Sequence, residues 1–324
     1  MCRLSVVIPH LGNATLLENT LASVLANRPG DCEVLAVLAE PYDDPYDVKG
    51  EVRFVAGQTC RDLVAAVNLG IHLSRAPIVH VLWSGVEVTE GWAEIALRHF
   101  RDPRVAAVAP VVLQVEDRSR VAAAGVVYHV GGATLALDQG EPVISLASRP
   151  KRVLAAHPAA AFFRRSSLER IGGLGPSWSG QLASLDAALT FQQLGLWTVL
   201  EPRSRVAGPC PGAAQASAFR EALKAEQFFW RWAPLLGPMR SLASHGILVV
   251  GEGARGIFDF SVLPRLAGRL VGGCLGIVAQ DNRRRVERLR QQSRAKPSAP
   301  AGPAPHRSFR PGHDARLRST TSAG

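Results

Sequence analysis

Ile78–Trp92, IVHVLWSGVEVTEGW, is the stretch around which the remaining segments fall into place. Ile78–Trp83 is a short apolar run released from the preceding segment by Ala76-Pro77, the pattern of a strand buried on both faces. Ser84-Gly85 then marks a turn, and Trp92 opens a helix reaching Phe100. A strand whose carboxyl end opens into a loop is where open α/β sheets place their ligands. Outward from it, Leu4–Ile8 (LSVVI), Glu33–Ala39 (EVLAVLA), Val52–Val55 and Val105–Val112 read as further strands. Leu16–Ala26, capped by Asn13 or Thr15, and Arg61–Leu73 read as the helices between them. This alternation predicts an α/β fold, a mostly parallel sheet with helices on both faces.

Past Val112 the rhythm changes. Val121–His129 and Ala133–Leu137 suggest a hairpin around Gly131-Gly132, and Ala159–Phe163 a small-residue strand. Ser166–Ile171 is a short helix stopped by Gly172-Gly173, Leu185–Leu194 a helix stopped by Gly195, and Trp197–Leu200 a strand closed by Pro202. Phe219–Trp232 and Pro238–Leu270 carry amphipathic helical spacing. From about Ala295 the chain is Pro, Ala, Ser and Arg, which cannot bury enough surface to offset chain entropy and is expected to be disordered. The expected organisation is an α/β domain over 1–210, a helical extension over 211–294 and a basic tail over 295–324.

The 324 residues carry a net charge of +10, but Arg283–Gly324 alone holds 11 basic residues against 2 acidic ones. The folded body is therefore near neutral, and nucleic acid is not an expected partner. Five scattered cysteines without a CxxC pair argue against a disulfide framework or a zinc site and fit a reducing compartment. The start, MCRLSVVIPH, runs straight into a strand, and no apolar run approaches the ~20 residues of a membrane span. A cytoplasmic or membrane-peripheral location is the expectation.

Taken in order, these segments resemble the family 2 glycosyltransferases with the GT-A nucleotide-sugar-binding fold. Leu4–Pro9, Glu33–Ala39 with the acidic loop Glu40–Asp47, Arg61–Gly70 (RDLVAAVNLG) and Ile78–Trp92 match that family's first half. Val121–Tyr128, Phe162–Gly173 and Leu185–Pro202 complete a resemblance that covers roughly Leu4 to Val206. It implies transfer of a sugar from a nucleotide donor to a carbohydrate or lipid-linked acceptor. It also implies that Asp186 is the general base and that Pro9, Glu40, Asp43, Arg61, Asn68, Gly70 and Gly85 contact the nucleotide-sugar. The local pattern gives Asp186 a second reading, as the start of its helix. The acidic loop equally suits a turn built on Pro41 and Pro45.

In the family an Asp-x-Asp at the strand end holds Mg²⁺ or Mn²⁺. Here Trp83 and Gly85 occupy those two places, and neither side chain can ligate a hard cation. Glu87 is the nearest carboxylate left for a metal; Arg61, His80 and Arg98 are the cations nearby in sequence. The departure leaves two functional readings. One is a glycosyltransferase with an atypical metal site, the other a catalytically inactive relative acting as a binding or scaffolding subunit. Gln227–Trp232 (QFFWRW) resembles the Gln-x-x-Arg-Trp of processive polysaccharide synthases with one residue too many, and its aromatics read as a packing face or a membrane-surface face. Arg283–Arg290 reads as a solvated basic helix end, or a contact for anionic lipid.

Overall fold

A computed structural model describes residues 2–295 apart from 58–59, 61, 147, 176–177, 179, 210–216, 257–261 and 277–279. The first half runs β1 (Leu4–His10), α1 (Ala14–Asn27), β2 (Cys32–Leu38), β3 (Val52–Ala56), α2 (Leu63–Leu73), β4 (Ile78–Leu82), β5 (Glu87–Val88), α3 (Trp92–Leu97) and β6 (Val105–Leu113). Then come β7 (Val121–Ala123), β8 (Val126–Tyr128), β9 (Thr134–Ala136), β10 (Lys151–Val153), β11 (Ala160–Arg164), α4 (Arg165–Ile171), α5 (Gln181–Gln193) and β12 (Trp197–Ala207). Four helices follow: α6 (Ala218–Leu236), α7 (Pro238–Gly256), α8 (Leu263–Gly276) and α9 (Gln280–Ala295). The basic tail beyond Ala295 lies outside the described residues.

One sheet runs through the body in the order β10-β12-β6-β11-β4-β1-β2-β3, with β5 on β12 and β7 on β6. β4, β1, β2 and β3 are parallel, as the continuous apolar runs predict. β11 enters antiparallel between β4 and β6, with Ala160 opposite Leu82. Its start therefore arrives at the edge where β1, β2 and β4 end. Alternate residues of β1 divide between the faces: Val7 joins one apolar layer with Val37, Val67 and Phe163, and Leu4, Val6 and Ile8 join the other with Leu21 and Trp92.

Gly70 lets α2 lie close on this sheet, since a Cβ there would sit 2.2 Å from Val7 Cγ1. Asn13, not Thr15, caps α1, accepting from the Leu16 amide at 3.2 Å. Three expectations are corrected. Pro202 does not close the last strand: β12 continues to Ala207 because a register shift between Glu201 and Arg205 accommodates the missing amide donor. The hairpin around Gly131-Gly132 is confined to β8 and β9, whereas β7 pairs with β6. Arg283–Arg290 is not merely solvated; it belongs to α9, where Arg285 donates to the Ile171 carbonyl at 2.8 Å and Arg290 to that of Gln193 at 3.0 Å.

The aromatics of QFFWRW pack inward, with Phe228, Phe229 and Trp232 fully buried. The C-terminal helices share a buried polar network. Glu226 of α6 accepts from Trp230 Nε1 at 2.8 Å, and its carboxylate meets His245 Nε2 at 3.0 Å and Arg269 at 3.1 Å. Arg269 also donates to Glu252 at 2.6 and 2.9 Å. His245 Nδ1 lies 2.8 Å from the Gly131 carbonyl, so both ring nitrogens face acceptors and the imidazolium suits the site. Burial opposes the charged ring, but the Glu226 and Gly131 hydrogen bonds and the Glu226 charge outweigh it despite nearby Arg269, and the pKa is raised above 6.5.

Two outcomes are expected. Gly70→Ala lowers the urea midpoint, costing about 1–3 kcal/mol through overpacking against Val7, although alanine favours an isolated helix. His245 contributes its full stabilisation below about pH 6.5 and loses it as pH rises through its raised folded pKa. The thermal midpoint should fall over that interval in the native chain and stay flatter in His245→Phe.

Candidate functional site

The carboxyl ends of β1, β2 and β4 meet at a tightly bonded turn. Trp83 N donates to the Ala159 carbonyl at 2.9 Å, tying the turn to the start of β11. Gly85 adopts φ +94, a region that favours glycine, and its amide donates to Thr20 Oγ1 at 2.8 Å and the Leu16 carbonyl at 3.0 Å, both on α1. Ser84 Oγ donates to the Pro9 carbonyl at 3.0 Å and lies 3.5 Å from His10 Nδ1. Burial lowers the pKa of His10, partly offset by the Glu40 carboxylate.

Beside this turn is a cavity of about 260 Å³ walled by Leu63, Val67, Trp83, Phe163, Leu174 and Ala183. Its polar members are already engaged. Asp62 caps α2 by accepting from Ala65 N at 2.8 Å, and Ser184 Oγ donates to the Ala156 carbonyl at 2.6 Å. No Lys, Arg or His is among the described residues lining it.

The sequence candidates separate on this frame. Pro9 and Gly85 are at the turn, and Glu40 is exposed beside Gly12 at the end of β2. Asp43 is exposed in the following loop, where neighbouring Asp44 builds a turn by accepting from the amides of Val48 and Lys49 at 3.1 Å. Asn68 clasps Leu174, donating to its carbonyl at 2.8 Å and accepting from its amide at 2.9 Å. Gly70 serves the α2–sheet contact. Arg61 lies outside the described residues. His80 is fully buried, stacked on Phe162 at 3.7 Å, and burial pushes its pKa down to about 3, so it supplies no cation. Arg98 is exposed on the turn of helix after α3.

Asp186 is 1% exposed within α5 and heavily bonded. Arg231 Nε reaches Oδ1 at 2.9 Å, Trp232 Nε1 reaches the same oxygen at 2.9 Å, and Arg231 and Arg285 reach Oδ2 at 3.4 Å. Gly175 passes close by, since a Cβ there would lie 3.2 Å from Oδ2. Thus QFFWRW, with its extra residue, still places an Arg-Trp pair on the candidate base. Asp62 and the wall role of Trp83 escaped the sequence reading, although an Asp ahead of an apolar helical run is a cap signal.

A divalent cation does not fit the turn. Trp83 and Gly85 offer no side-chain oxygen, the Ser84 hydroxyl is committed to Pro9, and Glu87 on β5 is ion-paired with Arg118 at 2.5 Å. Among the described residues no cluster of three or more His, Cys, Asp or Glu could hold a metal ion.

No protein-family model matches the chain. A pre-mycofactocin glycosyltransferase of Mycobacterium tuberculosis strain CDC 1551 is 31% identical over 172 residues, which is 52% of this chain and 35% of that protein. Its counterpart in strain H37Rv gives the same figures, so the chain spans about a third of the length of these curated relatives. The structure is similar to GalNAc-T7 with UDP, GalNAc and Mn²⁺ (TM-score 0.52, 15% identity, 64% of this chain and 44% of that one). It is also similar to the mannosyltransferase PcManGT of Pyrobaculum calidifontis with GDP-Man and Mn²⁺ (TM-score 0.50, 18% identity, 84% and 86%). This is a GT-A-like glycosyltransferase fold. Both of those GT-A-like structures hold a nucleotide and Mn²⁺, whereas the GT-A-like sheet described here presents Trp83 and an apolar cavity at the end of β4.

Replacing Asp186 with Ala strands two partly buried guanidinium groups. It is expected to cost about 3 kcal/mol in urea unfolding, with Asp186→Asn losing less because one acceptor oxygen remains.

Proposed function

We propose that the chain is a glycosyltransferase using a nucleotide-sugar donor and the hydroxyl of a carbohydrate or lipid-linked acceptor. The observation that carries this reading is the cavity at the joint ends of β1, β4 and β11, on a chain 31% identical over 172 residues to a glycosyltransferase. The apolar walls favour an acceptor with a hydrocarbon portion lying against Trp83 and Phe163.

In the reaction the acceptor oxygen bonds to the sugar's anomeric carbon, the carbon–oxygen bond to the diphosphate breaks, and the acceptor proton passes to a base. In this reading Asp186 is the candidate base, and accepting that proton requires Arg231 and Arg285 to release a lone pair. Asp62, exposed at the cavity rim and capping α2 through Oδ1, is a second candidate carboxylate. Glu40, Asp43 and the turn at Pro9 and Gly85 are assigned to the donor's nucleoside. Arg61, next to Asp62 in the chain, is assigned to the charge building on the leaving diphosphate. Asn68 and Gly70 act indirectly, by holding the wall and seating α2. No step is assigned to a metal, because the side chains at the turn do not suit one.

A second reading, an inactive relative serving as a binding subunit, is favoured by Trp83 in place of a ligating carboxylate and by the ion pairs on Asp186. Calorimetry with UDP, GDP and dTDP separates the two. The transferase reading expects binding of one nucleotide at similar strength with and without Mn²⁺, and release of that diphosphate from its sugar conjugate. Loss of the base should lower kcat by about 10²–10⁴-fold. Asp186→Asn and Asp62→Asn, compared at equal folded fraction, identify which carboxylate acts. If no nucleotide binds, the transferase reading falls.

A further inference from the structure

Helices α7 and α8 are inside out. On α7 the side facing the protein carries Ser241, His245 and Glu252, the last two bonded to Gly131, Glu226 and Arg269. The outward side carries Met239, Leu242, Ala243, Ile247, Val250 and Ala254, spaced three or four residues apart as one stripe. Met239 is 82%, Ile247 75% and Val250 72% exposed.

α8 repeats the inversion. Gly268 and Gly272 press on the α6 backbone, where a Cβ would meet the Phe219 carbonyl oxygen at 2.2 Å and that of Leu223 at 2.7 Å. Between them Arg269 turns inward to its two carboxylates. Leu263, Ala267, Leu270 and Val271 face out, Leu270 at 74% exposure. A helix on the surface of a water-soluble domain has the opposite polarity. Exposed apolar stripes of this kind mark a contact surface.

The charges indicate which contact. Arg240 and Arg265 are exposed on these helices, with Glu221 of α6 within electrostatic reach of Arg265. The sole carboxylate in the two helices, Glu252, is held by Arg269. Two copies joined face to face about a dyad would bring these exposed arginines together. Anionic headgroups would neutralise them. Among the described residues no helix is long and apolar enough to cross a membrane.

We propose that the α7–α8 face docks on an anionic bilayer, with Ile247, Val250 and Leu270 entering the acyl boundary and Arg240 and Arg265 among the headgroups. This goes beyond the transfer reaction and does not depend on it.

The test is co-sedimentation of the full chain with vesicles of phosphatidylcholine alone or mixed with phosphatidylglycerol. The native chain should pellet with the mixed vesicles and much less with the neutral ones. Ile247→Glu/Val250→Glu/Leu270→Glu should lower the bound fraction about 10-fold or more. Its thermal midpoint should hold, since all three positions face out. Arg240→Glu/Arg265→Glu should reduce the preference for phosphatidylglycerol, the basic stretch Arg283–Gly324 supplying what remains. The proposal is overturned if the native chain stays in the supernatant with both vesicles, or if the triple variant binds as well as the native chain. It is equally overturned if the triple variant instead converts a vesicle-indifferent dimer into a monomer, which would make a second copy the occupant.

Discussion

A buried carboxylate, Asp186, gathers the densest set of bonds between the sheet domain and the C-terminal helices. Asp186 sits in α5, against the sheet, and its donors come from α6 and α9. An ionised carboxylate accepts only, so two guanidinium groups and an indole N–H satisfy it from outside its own helix. The extension is then consolidated around this point: Asn282 donates to the Arg231 carbonyl at 3.1 Å, and Val286 is buried. Another buried carboxylate, Glu226, lies on α6 and bonds to α7 and α8. The helices beyond the sheet are thus held by polar bonds in a low-dielectric interior, where each lost partner is costly, as well as by the buried aromatics of α6.

The cleft shows the reverse balance. At the end of β4 an indole and aliphatic side chains wall the cavity, with Asp62 and Ser184 as its polar members. The turn itself is not degraded, because Ser84 and Gly85 are bonded to β1 and α1. The strand end is thus well bonded while it presents Trp83 and Gly85 rather than side-chain carboxylates.

The legible parts were those written in local pattern. Runs such as Leu4–Ile8 and Ile78–Leu82, bounded by Pro and Gly, announced parallel strands, and the order of segments gave the fold class. Pro202 misled, since a proline in a strand is read as an end unless a bulge absorbs it. The partners of Asp186 lie 45 and 99 residues away, and no local spacing encodes a contact of that range. The inversion of α7 was hidden for a related reason: periodicity reports that a helix has two faces, not which one meets the protein.

The clasp between Asn68 and Leu174 bears on how a molecule could reach the cavity. Asn68 belongs to α2, which supplies Leu63 and Val67 to one wall, and Leu174 belongs to another. Two short hydrogen bonds in opposite directions couple these walls, so they cannot part without leaving an amide donor and a carbonyl bare together. Among the described lining residues Leu11, Asp62 and Gly180 meet water, so access that leaves the clasp intact runs past these three rather than between α2 and Leu174.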